Sequence, residues 1–186
     1  MVAADVRSSP DPLDGIAETL DRAAIAAISQ VTSGLSPATL AQAFSDWALH
    51  LASSPGKQLQ LGVKMARKYA RLFDYALRSA SDADAAPAIE PLPQDRRFSD
   101  PAWKQQPFNI LSQAFLLNQQ WWYAASTGIG GVSKHHQEMV EFGARQLLDT
   151  LAPTNFLATN PVLQRKIFET GGKCLVDGFQ HLLEDV

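Results

Sequence analysis

One cysteine, Cys174, and four histidines are all the thiol and imidazole chemistry in this 186-residue chain. A lone cysteine cannot close an internal disulfide, which points away from an oxidising compartment. The opening stretch MVAADVRSSPDPLDG has neither a basic n-region nor an apolar h-region, so the cytosol is the expected location. Long hydrophobic runs are missing too. The most apolar stretch, ILSQAFLLNQQWWYAA, is interrupted by Ser112, Gln113 and the NQQ triplet, too broken for a membrane span. A net charge of −3 gives no general attraction to nucleic acid or anionic membranes. Sustained alternation and β-branched clusters are absent, so strands are not expected.

What remains is a helical chain with 46% apolar residues, enough for a core in one domain or a domain with an appendage. Four capping residues stand before proline: Asp11-Pro12, Ser36-Pro37, Ser54-Pro55 and Asn160-Pro161. The first can accept from orphan N–H groups, and proline suits the first helical position. Asp100-Pro101 predicts a single turn. Leu13, Ile16, Leu20, Ala24, Ala27 and Val31 recur at helical spacing until Gly34, and Leu40, Phe44, Trp47 and Leu51 follow. Leu59, Val63, Ala66, Ala70, Phe73 and Leu77 form the longest stripe, expected to pack inside a bundle.

The segment SASDADAAPAIEPLPQDRR holds three prolines and four acidic residues and predicts a mobile linker. Beyond it aromatics become dense, with helices expected near 107–126, 133–151 and 161–183. The expected organisation is a disordered 1–10, a helical leader 11–80, an acidic proline-containing linker 81–95 and a second helical unit 96–186. The fold class is all-α, as two helical units joined by a flexible strap.

Cys174 follows a glycine pair in FETGGKCLVDG, which superficially suggests a nucleophile. A nucleophile elbow needs glycines on both sides and a strand leading in. Neither is present, so Cys174 reads as a small packing residue and the glycines as a kink or a close backbone approach. His135-His136, near Glu138 and Glu141, could suggest a metal, but adjacent helical residues point about 100° apart. A first-turn position after a Ser133 cap is the simpler reading. No cofactor, metal or catalytic residue is assigned.

Lys57, Lys64, Arg71 and Arg78 recur every seventh residue, with Lys68 beside them. Leu61, Leu72 and Tyr75 project to the same side. A purely solvated face rarely carries two leucines and a tyrosine, so Leu61, Lys64, Lys68, Arg71, Leu72 and Tyr75 are expected to form a partner or polymer surface. Trp121 and Trp122 are the second candidates. With Tyr123 they cannot all face one way, and core packing is their alternative role.

DRRFSDPAWKQQPFNILSQAFLLNQQWW, PTNFLATNP and the Gly171-Gly172 pair closely resemble the N-terminal region of polyhydroxyalkanoate synthases. DPLDGIAETLDRAAIAA and GLSPATLAQAFSDWALHLASSPGKQLQL resemble a leader found in some of them, so the resemblance runs from about Asp11 to Val186. It implies an acyltransferase family that polymerises hydroxyacyl-CoA through a cysteine, aspartate and histidine in a C-terminal α/β-hydrolase domain. No G-x-C-x-G occurs here, and Cys174 does not match that catalytic cysteine. The implied role is noncatalytic: attachment to polyhydroxybutyrate granules in the cytoplasm, stabilisation of a synthase dimer, or docking of granule-associated proteins. A free-standing phasin-like coat protein is the rival reading.

Overall fold

The computed structural model describes residues 12–31, 36–82 and 84–184. The fold is all-α, with no strand among the described residues. The helices are α1 (Pro12–Val31), α2 (Pro37–Ala52), α3 (Pro55–Ser81), α4 (Phe108–Ser126), α5 (Lys134–Thr150), α6 (Pro161–Glu169) and α7 (Lys173–Glu184). Single 3-10 turns run over Pro101–Lys104 and Pro153–Asn155. The expectations for residues 1–10, Asp11 and Gly34 lie outside the described residues. Among these residues no helix is long and apolar enough to cross a membrane.

The α4 helix is the centre of the packing, with α3, α5 and the Pro101 turn against it and α2 lying across α5 and α3. Ala43 of α2 closes on Met139 and Val140 of α5, with Leu40 and Trp47 against them. The buried polar groups of α4 are all satisfied: Ser112 Oγ donates to the Asn109 carbonyl at 2.9 Å, and Gln113 Oε1 accepts from the Ile89 N–H at 2.8 Å. Such pairing keeps a nearly all-round buried helix from bearing unpaired polar atoms.

Punctuation residues act by two routes. Asn160 Oδ1 accepts from the N–H groups of Val162 and Leu163, Asp100 from Ala102 and Ser133 Oγ from His136, as capping chemistry requires. Ser36 and Ser54 do not cap with their side chains. Ser54 Oγ instead donates to the His50 carbonyl at 2.7 Å, and Gln58 Nε2 donates to the Leu51 and Ala52 carbonyls. They thus serve the orphan C-terminal oxygens of α2.

The helix expected over 161–183 is two helices. Gly171 and Gly172 have φ of 57° and 85°, and the Gly172 N–H bonds the Ile167 carbonyl at 2.9 Å while that of Gly171 bonds Phe168. This is a Schellman termination, which a pair of glycines in left-handed conformation favours. Among the described residues nothing lies within 4 Å of where a Cβ on either glycine would sit, so of the two roles anticipated for the pair the kink is the one observed.

The two expected helical units are in contact. The leader helices α2 and α3 pack directly on α4 and α5, and the segment expected to be a flexible linker lies along them as a strap. Ala88 is buried in a cluster with Tyr75 and Leu117, bordered by Leu72, Ile89 and Ile110. Arg71 donates to the Ala88 carbonyl and Arg78 Nη1 to that of Ala86. Alanines let an extended backbone lie close to a helix, and arginines reaching its carbonyls replace the bonds that regular structure would supply. Composition alone does not reveal such donors.

Candidate functional site

The candidate surface centres on α3, a 27-residue helix carrying two stripes of identical spacing. Leu59, Val63, Ala66, Ala70, Phe73 and Leu77 form one; Leu61, Met65, Lys68, Leu72, Tyr75 and Ser79 form the other. Both step 4-3-4-3-4, so helical periodicity cannot choose between them. The structure turns the second, less apolar stripe inward: Leu61 and Tyr75 are only 5% and 7% exposed. The first faces solvent, with Leu59 71%, Phe73 66% and Leu77 60% exposed.

This reverses the sequence expectation for the helix's orientation. Leu61, Leu72 and Tyr75, expected on an outward face, pack toward α4 and the strap, Leu72 being half-buried. Trp121 is likewise an internal anchor: its indole N–H donates to the Leu61 carbonyl at 3.1 Å. Trp122 is half-buried and meets Trp121 edge to face at 5.4 Å, while Tyr123 is exposed. A second indole repeats the device, with Trp47 Nε1 donating to the Ala125 carbonyl at 3.0 Å. Both carbonyls are helical, so each indole fastens one helix backbone to its neighbour with one buried polar handle.

Among the expected cations, Lys64 and Lys68 are half-buried at the border of this seam and Arg71 is exposed at its edge. Lys68 donates to Gln120 Oε1, and Lys57 Nζ reaches the Thr127 carbonyl at 2.6 Å beyond the end of α4. That is where a cation meets the negative end of a helix. Burial holds both ammonium groups below their ordinary range. Repulsion from Lys64 adds to this at Lys57, and repulsion from Arg71 and Lys64 adds to it at Lys68.

Two polar constellations escaped the sequence reading. Arg97, within DRRF, forks onto Asp95 with bonds of 2.9 and 2.7 Å and reaches Asp149 Oδ1 at 2.7 Å. Its guanidinium also lies 5.1 Å from the Phe115 ring centroid. Hydrogen bonds from Arg97 hold the Asp95 carboxyl below its ordinary range. This side chain ties the strap to α4 and α5. The second is Asp46, whose carboxylate is bonded to His136 Nδ1 at 2.6 Å and lies 3.0 Å from His50 Nδ1, which bonds the Asp46 backbone carbonyl at 2.8 Å. The His136 bond is the main cause holding the Asp46 carboxyl low. His136 thus joins α5 to α2, and His135 is exposed beside it. Ninety positions separate Asp46 from His136, and no local pattern announces the pair.

Cys174 lies half-buried in the first turn of α7, its N–H bonded to Thr170 Oγ1 at 3.4 Å. Elsewhere the apolar surface is extensive. Leu13, Ile16, Leu20 and Ile25 of α1 are exposed, as are Leu175, Val176, Phe179 and Leu183 of α7.

Residues 94–186 match the family described as Poly-beta-hydroxybutyrate polymerase (PhaC) N-terminus, and residues 15–57 match Poly-beta-hydroxybutyrate polymerase N terminal. The chain is 30% identical over 179 residues to the Poly(3-hydroxyalkanoate) polymerase subunit PhaC of Rhizobium meliloti, covering 91% of this chain and 29% of that protein. With the Poly(3-hydroxyalkanoate) polymerase of Methylorubrum extorquens the identity is 35% over 133 residues, 71% of this chain and 22% of the relative. The Cupriavidus necator polymerase subunit is 34% identical over 148 residues, 74% and 25% respectively. The chain therefore spans between 22% and 29% of these relatives' own length. No solved structure matches it.

Proposed function

This chain belongs to the poly-beta-hydroxybutyrate polymerase N-terminal family, and we propose from that premise that it serves polyester synthesis as a noncatalytic attachment region. Bond-forming chemistry is assigned to the part of the relatives that this chain does not cover. Cys174, on an exposed helix after a Schellman turn, has no strand-turn-helix setting to make it a nucleophile.

The observation that carries the proposal is the outward stripe of α3. Leu59, Val63, Phe73 and Leu77 lie exposed on one face, bordered by Lys64, Arg67 and Arg71. A contiguous apolar face of this length on a stable helix marks a partner or interface. Apolar side chains flanked by cations suit a hydrophobic particle with anionic groups at its surface. In this reading Leu61, Leu72, Tyr75, Trp121 and Trp122 hold α3 in position. Contact passes to Leu59, Phe73 and Leu77, with Lys64 and Arg71 at the rim and Lys68 behind them.

Co-sedimentation with protein-stripped polyhydroxybutyrate granules tests this. The parent chain should pellet with granules at low and moderate salt, and the Leu59→Ser, Phe73→Ser, Leu77→Ser triple variant should remain soluble with unchanged helicity. Equal pelleting of the two would refute attachment through this face. The 4-3 spacing also fits a helix-to-helix seam, so a second reading is pairing with another synthase chain. Sedimentation equilibrium without granules distinguishes it: a dimer that the same triple variant dissociates would transfer the face to self-association.

A further inference from the structure

The inner side of α3 carries grooves that share only Lys64 and Lys68 with the surface assigned to granule attachment. Two open grooves run along its seam with α4. One, of about 450 Å³, passes Lys57, Lys64, Lys68, Gln120, Tyr123 and Thr127. The other, of about 400 Å³, is walled by Met65, Leu72, Leu111, Phe115, Leu151 and Pro153. Lys68 lines both, so a groove carrying three ammonium groups adjoins an apolar trough at that residue.

No carboxylate comes within 4.0 Å of any of the three lysines among the described residues. Lys57 and Lys68 donate only to neutral oxygens, and Lys64 has no hydrogen-bond or ion-pair partner among the described residues. Burial and mutual repulsion already weaken the protonated state of Lys57 and Lys68, a strain that an anion seated among them would relieve. The trough offers little polarity: beside Lys68, only Tyr69 and Asn118 bring polar side chains to it. An acidic peptide laid there would leave its amides without partners. A methylene chain would not, and the volume falls within the roughly 300–1,000 Å³ of small-ligand pockets.

We infer that the α3–α4 seam binds a single-chain amphiphilic anion, its acyl tail along Met65, Leu72, Leu111 and Phe115 and its carboxylate or phosphate head among Lys57, Lys64 and Lys68. The occupant is a fatty carboxylate or a phosphorylated single-chain lipid, which share this chemistry. A seated tail would also cover apolar side chains that join α3 to α4, so binding should raise the thermal midpoint by mass action.

Calorimetric titration below micellar concentration tests the inference with four probes: dodecanoate, dodecyl phosphate, dodecyltrimethylammonium and inorganic phosphate. One molecule of dodecanoate or dodecyl phosphate should bind per chain, and Lys64→Glu should weaken binding at least tenfold with helicity intact. Leu151→Ser, at the exposed rim of the trough, should weaken it without altering charge. Binding of the carboxylate alone assigns the site to fatty acids; binding of the phosphate ester assigns it to phosphorylated lipids. The inference fails if the cationic amphiphile binds as well as the anions, or if neither anion binds. It fails equally if inorganic phosphate matches dodecyl phosphate, or if Lys64→Glu leaves affinity unchanged. The Leu59, Phe73 and Leu77 variant should bind dodecanoate normally, which separates this result from granule attachment.

Discussion

Replacing Leu61 by alanine, and separately Leu59 by alanine, tests the orientation of α3 with identical chemistry two residues apart. Leu61 is 5% exposed and Leu59 71% exposed. A buried leucine truncated to alanine loses its transfer free energy and leaves a cavity, together about 2–5 kcal/mol. An exposed one changes stability by no more than about 0.5 kcal/mol. The Trp121 bond to position 61 uses the backbone carbonyl and survives the substitution, so the packing contribution is isolated. In a domain of this size each kcal/mol moves the thermal midpoint by about 2–4 °C. Leu61→Ala should therefore lower it by roughly 6–12 °C for a loss near 3 kcal/mol, and Leu59→Ala by 2 °C or less. Differential scanning calorimetry at neutral pH, with matched far-UV spectra, provides the readout. Equal losses, or a larger loss at Leu59, would show that the more apolar stripe is the packed one and overturn the orientation on which both proposals rest.

Arg97 is 29% exposed and bonds Asp95, Asp149 and Gln119, so Arg97→Ala leaves two carboxylates facing each other. The expected cost is about 2–3 kcal/mol, less than for a fully buried pair because water screens part of the guanidinium. Urea midpoints should show it, with Asp149→Asn in the same chain recovering part; a loss under 0.5 kcal/mol would refute the clamp. Asp46 has a folded-state pKa lowered chiefly by its hydrogen bond to His136. Its stabilisation is thus present above the unfolded carboxylate value of about 3.9 and is lost as pH falls through the lower folded value. The stability gap between the parent and Asp46→Asn, followed by urea titration from pH 7 to pH 3, should narrow below about pH 4. A constant gap would assign the loss to packing instead.

Much of the architecture was legible from local chemistry. Proline after a capping residue marked the starts of α2, α3 and α6, and the absence of alternation excluded strands. The broken apolar run argued against a membrane helix, and the family resemblance rested on motifs that local inspection could find. The DRRF motif stood out as a string, yet its purpose did not. Arg97 reaches an aspartate 52 residues away, and nothing local encodes that distance. The acidic, proline-containing segment read as mobile because composition reports the lack of a core, whereas arginines on α3 and Gln113 on α4 supply its missing hydrogen bonds.

By itself, then, the sequence determined that the chain is helical, where α2, α3 and α6 start and that α3 has two usable faces. Helical period defines a face but carries no information about what lies opposite. Only tertiary structure decided that the Leu61, Leu72 and Tyr75 face meets α4, leaving the more apolar Leu59, Phe73 and Leu77 face outside. The physical reason is that core position is settled by the sum of long-range contacts. Trp121 reaching the Leu61 carbonyl, Ala88 packing on Tyr75 and Arg71 bonding the strap together favour a stripe that is the poorer one by hydrophobicity alone.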